Sequence, residues 1–131
     1  MFEFHGWATI RESPSEVDTA RLHTIIEELH EVRSCFGWQH AVLDLRSVNG
    51  EYQLSSSGLT NHRATEAGEL HEFFNRVAQV APGSYGLLFV RDDEDPNGSS
   101  NQFRVWVLAR GKFIEREDVY LSPFVPTAED P

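Results

Sequence analysis

Cysteine and lysine are almost absent from this sequence of 131 residues, which has a single cysteine, Cys35, and a single lysine, Lys112. One cysteine forms no internal disulfide, which fits a reducing compartment. No apolar run approaches the ~20 residues that a membrane-spanning helix needs. The first six residues also lack the basic and apolar segments of a secretory signal. We therefore expect a cytoplasmic protein without a membrane partner.

Basic residues are outnumbered by acidic ones, 11 to 21, which gives a formal net charge of −10. The two halves of the chain contribute equally to this excess, so it is not confined to a tail. Binding to phosphates depends on Lys and Arg, so this field opposes nucleic acids and anionic membranes as partners. It attracts a basic protein. The alternative interpretation is that the acidic residues only maintain solubility.

Periodic patterns along the chain predict two helices and about five strands. One helix runs from an N-cap at Ser13 to about Ser34, and the other runs from Thr65 to Val80. The turn Asn49-Gly50 predicts a tight hairpin, because both positions favour a positive φ. Strands are predicted over residues 2–11, 41–48, 51–59, 84–91 and 102–110.

The order strand, helix, hairpin, helix, hairpin predicts an α+β fold in two layers. A mainly antiparallel sheet of about five strands carries both helices on one face. Residues 1–131 are expected to form a single domain, with residues 118–131 as an irregular C-terminal tail. The predicted core of the sheet comprises Leu43, Leu45, Leu87, Phe89, Val105 and Val107.

The second face of such a sheet is left uncovered, and it is the predicted site of recognition. Its assigned residues mix charge with two tryptophans, and Trp and Arg dominate protein interfaces. Coverage by the tail or by an oligomer partner is the alternative. The acidic loop is expected to steer a partner that the aromatic and neighbouring side chains then anchor. The predicted partner-binding residues are Trp7, Asp44, Asp92, Asp93, Glu94, Asp95, Arg104 and Trp106. A second possible docking surface is the acidic helix around Glu27, Glu28 and Glu31.

Motifs that carry chemistry are incomplete in this sequence. The metalloprotease pattern fails because His30-Glu31 is followed by Ser34 where the second histidine belongs. The calcium-loop pattern begins at Asp93, but its twelfth position, which needs a bidentate glutamate, is Arg104. We therefore expect no catalytic residues, no metal and no cofactor.

Four segments occur in a characteristic order and spacing. They are residues 4–10 (FHGWATI), 83–92 (GSYGLLFVRD), 103–111 (FRVWVLARG) and 121–131 (LSPFVPTAEDP). Together they resemble the immunity protein 7 family of bacterial polymorphic toxin systems. The resemblance spans nearly the whole chain, from Phe4 to Pro131.

This resemblance implies a cytoplasmic antidote, usually encoded beside a toxin, that binds the toxin domain and blocks it. It implies neither enzymatic activity nor a cofactor, and it assigns no residues to toxin contact. Two alternatives stay open from the residues alone. One is a small-molecule or metal-binding enzyme with a site around His5, Trp7 and Asp44 on the uncovered face. The other is a homodimeric structural subunit that uses the same face.

Overall fold

Strands and helices alternate in the computed structural model, which describes residues 1–13, 20–61, 65–95 and 101–123. The strands of this described part are β1 Phe2–Ile10, β2 Ala41–Val48, β3 Glu51–Thr60, β4 Tyr85–Asp92, β5 Arg104–Ala109 and β6 Lys112–Glu117. Its helices are α1 Ala20–Ser34 and α2 Thr65–Val80. The second helix has the bounds that its sequence pattern predicts.

One antiparallel sheet contains all six of these strands, in the order β2-β3-β1-β4-β5-β6. The predicted α+β class is confirmed, with one strand more than expected. That extra strand is β6, between the last predicted strand and the predicted tail, where the sequence pattern predicts no element. A two-residue turn at Arg110 and Gly111, with φ values of 54° and 74°, pairs Ala109 with Lys112 and starts β6.

Both helices pack on the same face of the sheet. On α2, the ring of Phe74 packs against Gly6 of β1. A Cβ added to Gly6 would lie only 3.3 Å from that ring. From α1, Nδ1 of His23 is 2.9 Å from the hydroxyl of Tyr52. The first strand buries alternate side chains beneath the helices. Burial of each large apolar side chain stabilises the fold by roughly 1.5–3 kcal/mol. These alternate side chains are Phe2, Phe4, Ala8 and Ile10.

The hairpin of β2 and β3 forms in the predicted register. Its turn, Asn49-Gly50, has positive φ at both positions, 52° and 85°. Asp44 therefore pairs with Ser55 on the side opposite the helices. Leu43 and Leu45 point to the helix side and are buried, which confirms this part of the predicted core.

The faces of β4 and β5 are the reverse of the prediction. Leu88 is 1% exposed in the core, and its cross-strand partner is Trp106, so Trp106 and Arg104 lie on the helix side. Nearly every residue of β4 is apolar, so alternation could not assign its face. Arg104 was predicted to face outward as a charge, but it forms an ion pair with Glu115 of β6. Four predicted core residues consequently lie on the side opposite the helices: Leu87, Phe89, Val105 and Val107. Val105 is nevertheless buried, as predicted, and the other three are half-buried.

Three predicted features fall outside the described residues. They are the first turn of α1 at residues 14–16, the second half of the acidic loop at residues 96–100, and the end of the tail from residue 124. Residues 118–123 follow β6 without forming a helix or a strand.

Candidate protein-binding face

The side of the sheet opposite the helices is called the open face. In the described part of the chain, neither helix packs on it. The register of the strands aligns one residue from each strand into a row that crosses this face. From β2 to β6 the row reads Asp44, Ser55, Trp7, Leu87, Val107 and Ile114. The residues of this row are polar on β2 and β3 and apolar on β1, β4, β5 and β6.

An aromatic pair stands at the centre of the open face. Trp7 on β1 and Tyr85 on β4 come from the two central strands, with ring centroids 6.1 Å apart and an edge-to-face angle of 83°. Each residue is almost half exposed, at 45% and 46%. Trp7 lies where the sequence predicts it. The sequence does not predict Tyr85 at this position, because nearly every residue of β4 is apolar and no alternation separates its two faces.

Large apolar side chains are unusually exposed on the open face. Monomeric proteins rarely expose extended apolar patches, and those that occur commonly mark interaction sites. The exposed large apolar residues of this face are Trp7, Val42, Val48, Leu59, Tyr85 and Ile114. This surface is therefore suited to binding another protein.

Hydrogen bonds within the chain hold several charged or ionisable side chains of the open face. Arg46 donates to the carboxylate of Asp44 at 2.6 Å, and this hydrogen bond raises the pKa of the Arg46 guanidinium. Glu3 lies 2.8 Å from the ring of His5. Asp44 thus lies on the predicted face, but its carboxylate already has a partner within the chain.

The acidic segment Asp92–Asp95 lies at the end of the sheet where β4 finishes and β1 begins. The N–H of Asp93 donates to the carbonyl of Met1 at 3.1 Å, and the Met1 ammonium donates to the Asp93 carboxylate at 2.5 Å. That hydrogen bond raises the pKa of the ammonium. Asp92 accepts a hydrogen bond from the N–H of Glu94 at 3.0 Å, which shapes the segment.

The opposite end of the open face is basic. Arg110 lies in the turn between β5 and β6, Lys112 follows that turn, and both are exposed. Among the described residues, neither of them forms an ion pair. Arg11, at the same end, is held by Glu51, whose hydrogen bond raises the pKa of the guanidinium. The predictions missed this basic end because they missed the turn that forms it.

Trp106 and Arg104, the remaining predicted site residues, do not lie beside Trp7. The ring of Trp106 stacks on Phe113 of β6 at 5.2 Å, and Arg104 donates to the carboxylate of Glu115 at 3.0 Å. Both residues lie on the helix side of β5. Their predicted position on the uncovered face is wrong.

The chain also matches a known family. The model of the family described as immunity protein 7 matches residues 1–130. The chain belongs to the immunity protein 7 family. No curated protein and no solved structure matches this chain.

Two cavities in the described part of this immunity protein adjoin its helices. A groove of about 690 Å³ between α1 and α2 is lined by residues that include Phe36, Phe73 and Glu69. A smaller one of about 260 Å³ adjoins Trp38 and Arg33. Neither cavity is lined by His5, Trp7 or Asp44, around which an enzymatic site had been considered.

The described residues of this immunity protein also lack two features. No group of three or more His, Cys, Asp or Glu side chains among them is arranged to hold a metal ion. Neither of their helices is long and apolar enough to cross a membrane.

Proposed function

We propose that this member of the immunity protein 7 family is a cytoplasmic, non-enzymatic antidote that binds a cognate toxin domain and neutralises it. Family membership supports the role of an immunity protein. The observation that carries the binding mode is the exposed aromatic pair of Trp7 and Tyr85 at the centre of the open face. Such central Trp and Tyr side chains supply most of the binding energy in many protein complexes.

The size of the open face supports a protein partner. Six strands about 4.8 Å apart span ~24 Å, and eight residues along a strand span ~23 Å. The projected area is therefore about 550 Å², and protruding side chains add to the accessible area. A typical interface buries about 800 Å² on each partner. The open face accordingly supplies most of one side of an ordinary interface.

Charge supports a basic toxin. The segment Asp92–Asp95 places four carboxylates at one end of the open face, where they raise the rate of encounter with a cationic surface. The net charge of −10 acts in the same direction and opposes nucleic acid as a partner. Trp7 is the proposed anchor, and Asp44 lies in the same row across the sheet. Arg104 and Trp106 no longer belong to this proposed site, because they lie on the other side of β5.

The test is co-expression with the C-terminal domain of the toxin-like protein encoded by the neighbouring gene. We expect that domain to arrest growth alone, and growth to recover when this chain is produced with it. The purified pair should elute as one complex in size-exclusion chromatography. Equal killing with and without this chain, at matched expression of the toxin domain, would reject the antidote function for that pair.

A further inference from the structure

The open face carries negative charge at one end of its strands and positive charge at the other. The acidic segment Asp92–Asp95 follows the last residues of β4, while Arg110 and Lys112 lie at the turn between β5 and β6. Gly86, near the start of β4, pairs with Leu108 just before that turn, so the basic turn lies at the opposite end of the sheet from Asp92. The seven steps along β4 separate the two ends by ~23 Å.

The basic end is exceptional in a chain of net charge −10. Lys112 is the only lysine of the chain, and it shares its side of β6 with Ile114 and Arg116. Arg116 donates to the backbone carbonyl of Glu115. Arg116 pairs with Val105 and lies toward the acidic end, so Arg110 and Lys112 supply the positive charge of the basic end, where both are exposed.

A second asymmetry runs across the strands in the row that contains Trp7. In this row the residues of β4 to β6 are apolar, namely Leu87, Val107 and Ile114, whereas Asp44 and Ser55 on β2 and β3 are polar. Charge therefore varies along the strands, and polarity varies across this row.

The charge asymmetry makes the face complementary to itself about one particular twofold axis. An axis that runs parallel to the sheet, between the two copies and perpendicular to the strands, reverses the strand direction but keeps each strand's position across the sheet. It places the acidic end of one copy over the basic end of the other, and the apolar part of the central row over its counterpart. An axis parallel to the strands would instead bring like charges together.

We propose that, in the absence of toxin, two copies of this chain associate through their open faces about that axis. The two sheets then pack as the layers of a β-sandwich, about 10 Å apart. The acidic segment follows β4, and Lys112 begins β6, so the two are offset by two strand spacings, ~10 Å. That offset is about one Debye length at physiological salt, so the opposite charges still attract each other. The dimer uses the surface proposed for the toxin, so toxin and second copy exclude each other.

The charge complementarity that favours a second copy of this chain on the open face also disfavours other partners in that position. Complementary charges fix the orientation of an interface and penalise the reversed one. An isologous contact also uses each complementary pair twice. The modest area of the face predicts a weak dimer that a tighter partner displaces. A polyanion such as nucleic acid would meet the acidic end and is not favoured.

The test is sedimentation equilibrium of the purified full chain over a range of concentrations. We expect a concentration-dependent dimer whose dissociation constant rises about tenfold in Lys112→Glu and in Glu94→Lys, because each reversal acts at two symmetric contacts. Arg21→Glu and Glu27→Lys make the same charge changes on exposed positions of α1 and should leave the dimer unchanged. Wild-type protein that stays monomeric at all concentrations would overturn the proposal, and toxin binding would then be the only role left for the face.

A mixing experiment isolates the proposed orientation. Lys112→Glu neutralises the basic turn, where Arg110 remains, and Glu94→Lys lowers the charge of the acidic segment from −4 to −2, so each variant is expected to self-associate weakly. Mixed in equal amounts, they should form a heterodimer stronger than either homodimer, because the reversed charge at position 112 of one variant then meets the reversed charge at position 94 of the other. A mixture no stronger than its components, or control variants that weaken the dimer equally, would reject the assigned axis. None of these outcomes depends on toxin binding, which the co-expression test addresses separately.

Discussion

The indole ring of Trp106 lies edge-on against the imidazole ring of His71, with their centroids 4.5 Å apart. This contact joins β5 to α2 on the helix side of the sheet. The ring of His71 also lies 5.2 Å from that of Phe113, so the three rings form one cluster. Trp106 therefore attaches the helix layer to the β5–β6 edge, and it does not reach the open face.

Trp106→Ala should destabilise the protein without weakening toxin binding. Removing the ring leaves a cavity between α2 and the sheet, and such truncations cost about 3 kcal/mol. Urea unfolding would measure the loss of unfolding free energy. Association and dissociation kinetics, recorded without urea so that the variant is folded, would measure toxin binding. Unchanged stability combined with faster dissociation of the toxin complex would contradict the assignment.

Trp7→Ala should have the reverse effect. Trp7 is 45% exposed at the centre of the open face, so we expect a loss of stability under about 1 kcal/mol. We expect a loss of about 2 kcal/mol or more in binding energy, expressed as faster dissociation of the toxin complex. Surface plasmon resonance with Trp106→Ala as the comparison separates the two roles. A variant that binds with wild-type kinetics would place the docking surface elsewhere, and the acidic helix around Glu27 would be the next candidate.

Gly58→Ala should destabilise the hairpin side of the core. A Cβ at Gly58 would lie 2.6 Å from Cε1 of Phe4 and 2.8 Å from Cβ of Ala41, closer than carbon atoms tolerate. Overpacking of this kind costs roughly 1–3 kcal/mol. Gly68→Ala is the control, because a Cβ on this residue of α2 meets nothing within 4 Å. It should raise stability by about 0.5–1 kcal/mol. Thermal unfolding of both variants measures the contrast, and shifts of the same sign would refute this account of the packing.

Asp118 should contribute a pH-dependent part of the stability. Burial acts to raise the pKa of its carboxyl, but hydrogen bonds from the N–H of Tyr120, from Ser122 and from the N–H of Leu121 outweigh it and lower the pKa. The Ser122 hydroxyl in turn accepts the N–H of Phe103 at 2.8 Å, which ties residues 118–122 to the start of β5. A carboxyl whose pKa is lowered on folding stabilises the folded state above its unfolded pKa of about 3.9. This contribution is lost as the pH falls below that value through the folded pKa.

The measurement is urea unfolding of wild type and Asp118→Asn between pH 3 and pH 7. Wild type should be the more stable at pH 7, and the difference should shrink as the pH falls below about 4. Glu27→Gln, an exposed carboxyl on α1, is the control and should show no such trend. A difference between wild type and Asp118→Asn that is constant over the whole range would contradict the role of ionised Asp118.

Local patterns determined much of the fold. The Asn49-Gly50 turn fixes the β2–β3 register because few other residues accept its φ values. Alternation in β1 separates buried Phe4 from exposed Trp7, and helical periodicity sets the bounds of α2. In each case, the signal and the structure that it predicts lie within the same ten to twenty residues. The positions of Trp7, Asp44 and the acidic segment followed from the same reasoning.

Only the tertiary structure decided which way β4 and β5 face. In β4 both faces are apolar, so Leu88 and Leu87 are equivalent in sequence, and the pairing with β1 alone puts Leu88 under the helices. In β5 a charged residue points toward the helix side because Glu115, eleven positions later, neutralises Arg104 across the β5–β6 pair. The bipolar open face likewise arises only when β5 turns back at Arg110. Faces and charge partners are set by neighbours distant in the chain, and no local period carries that information.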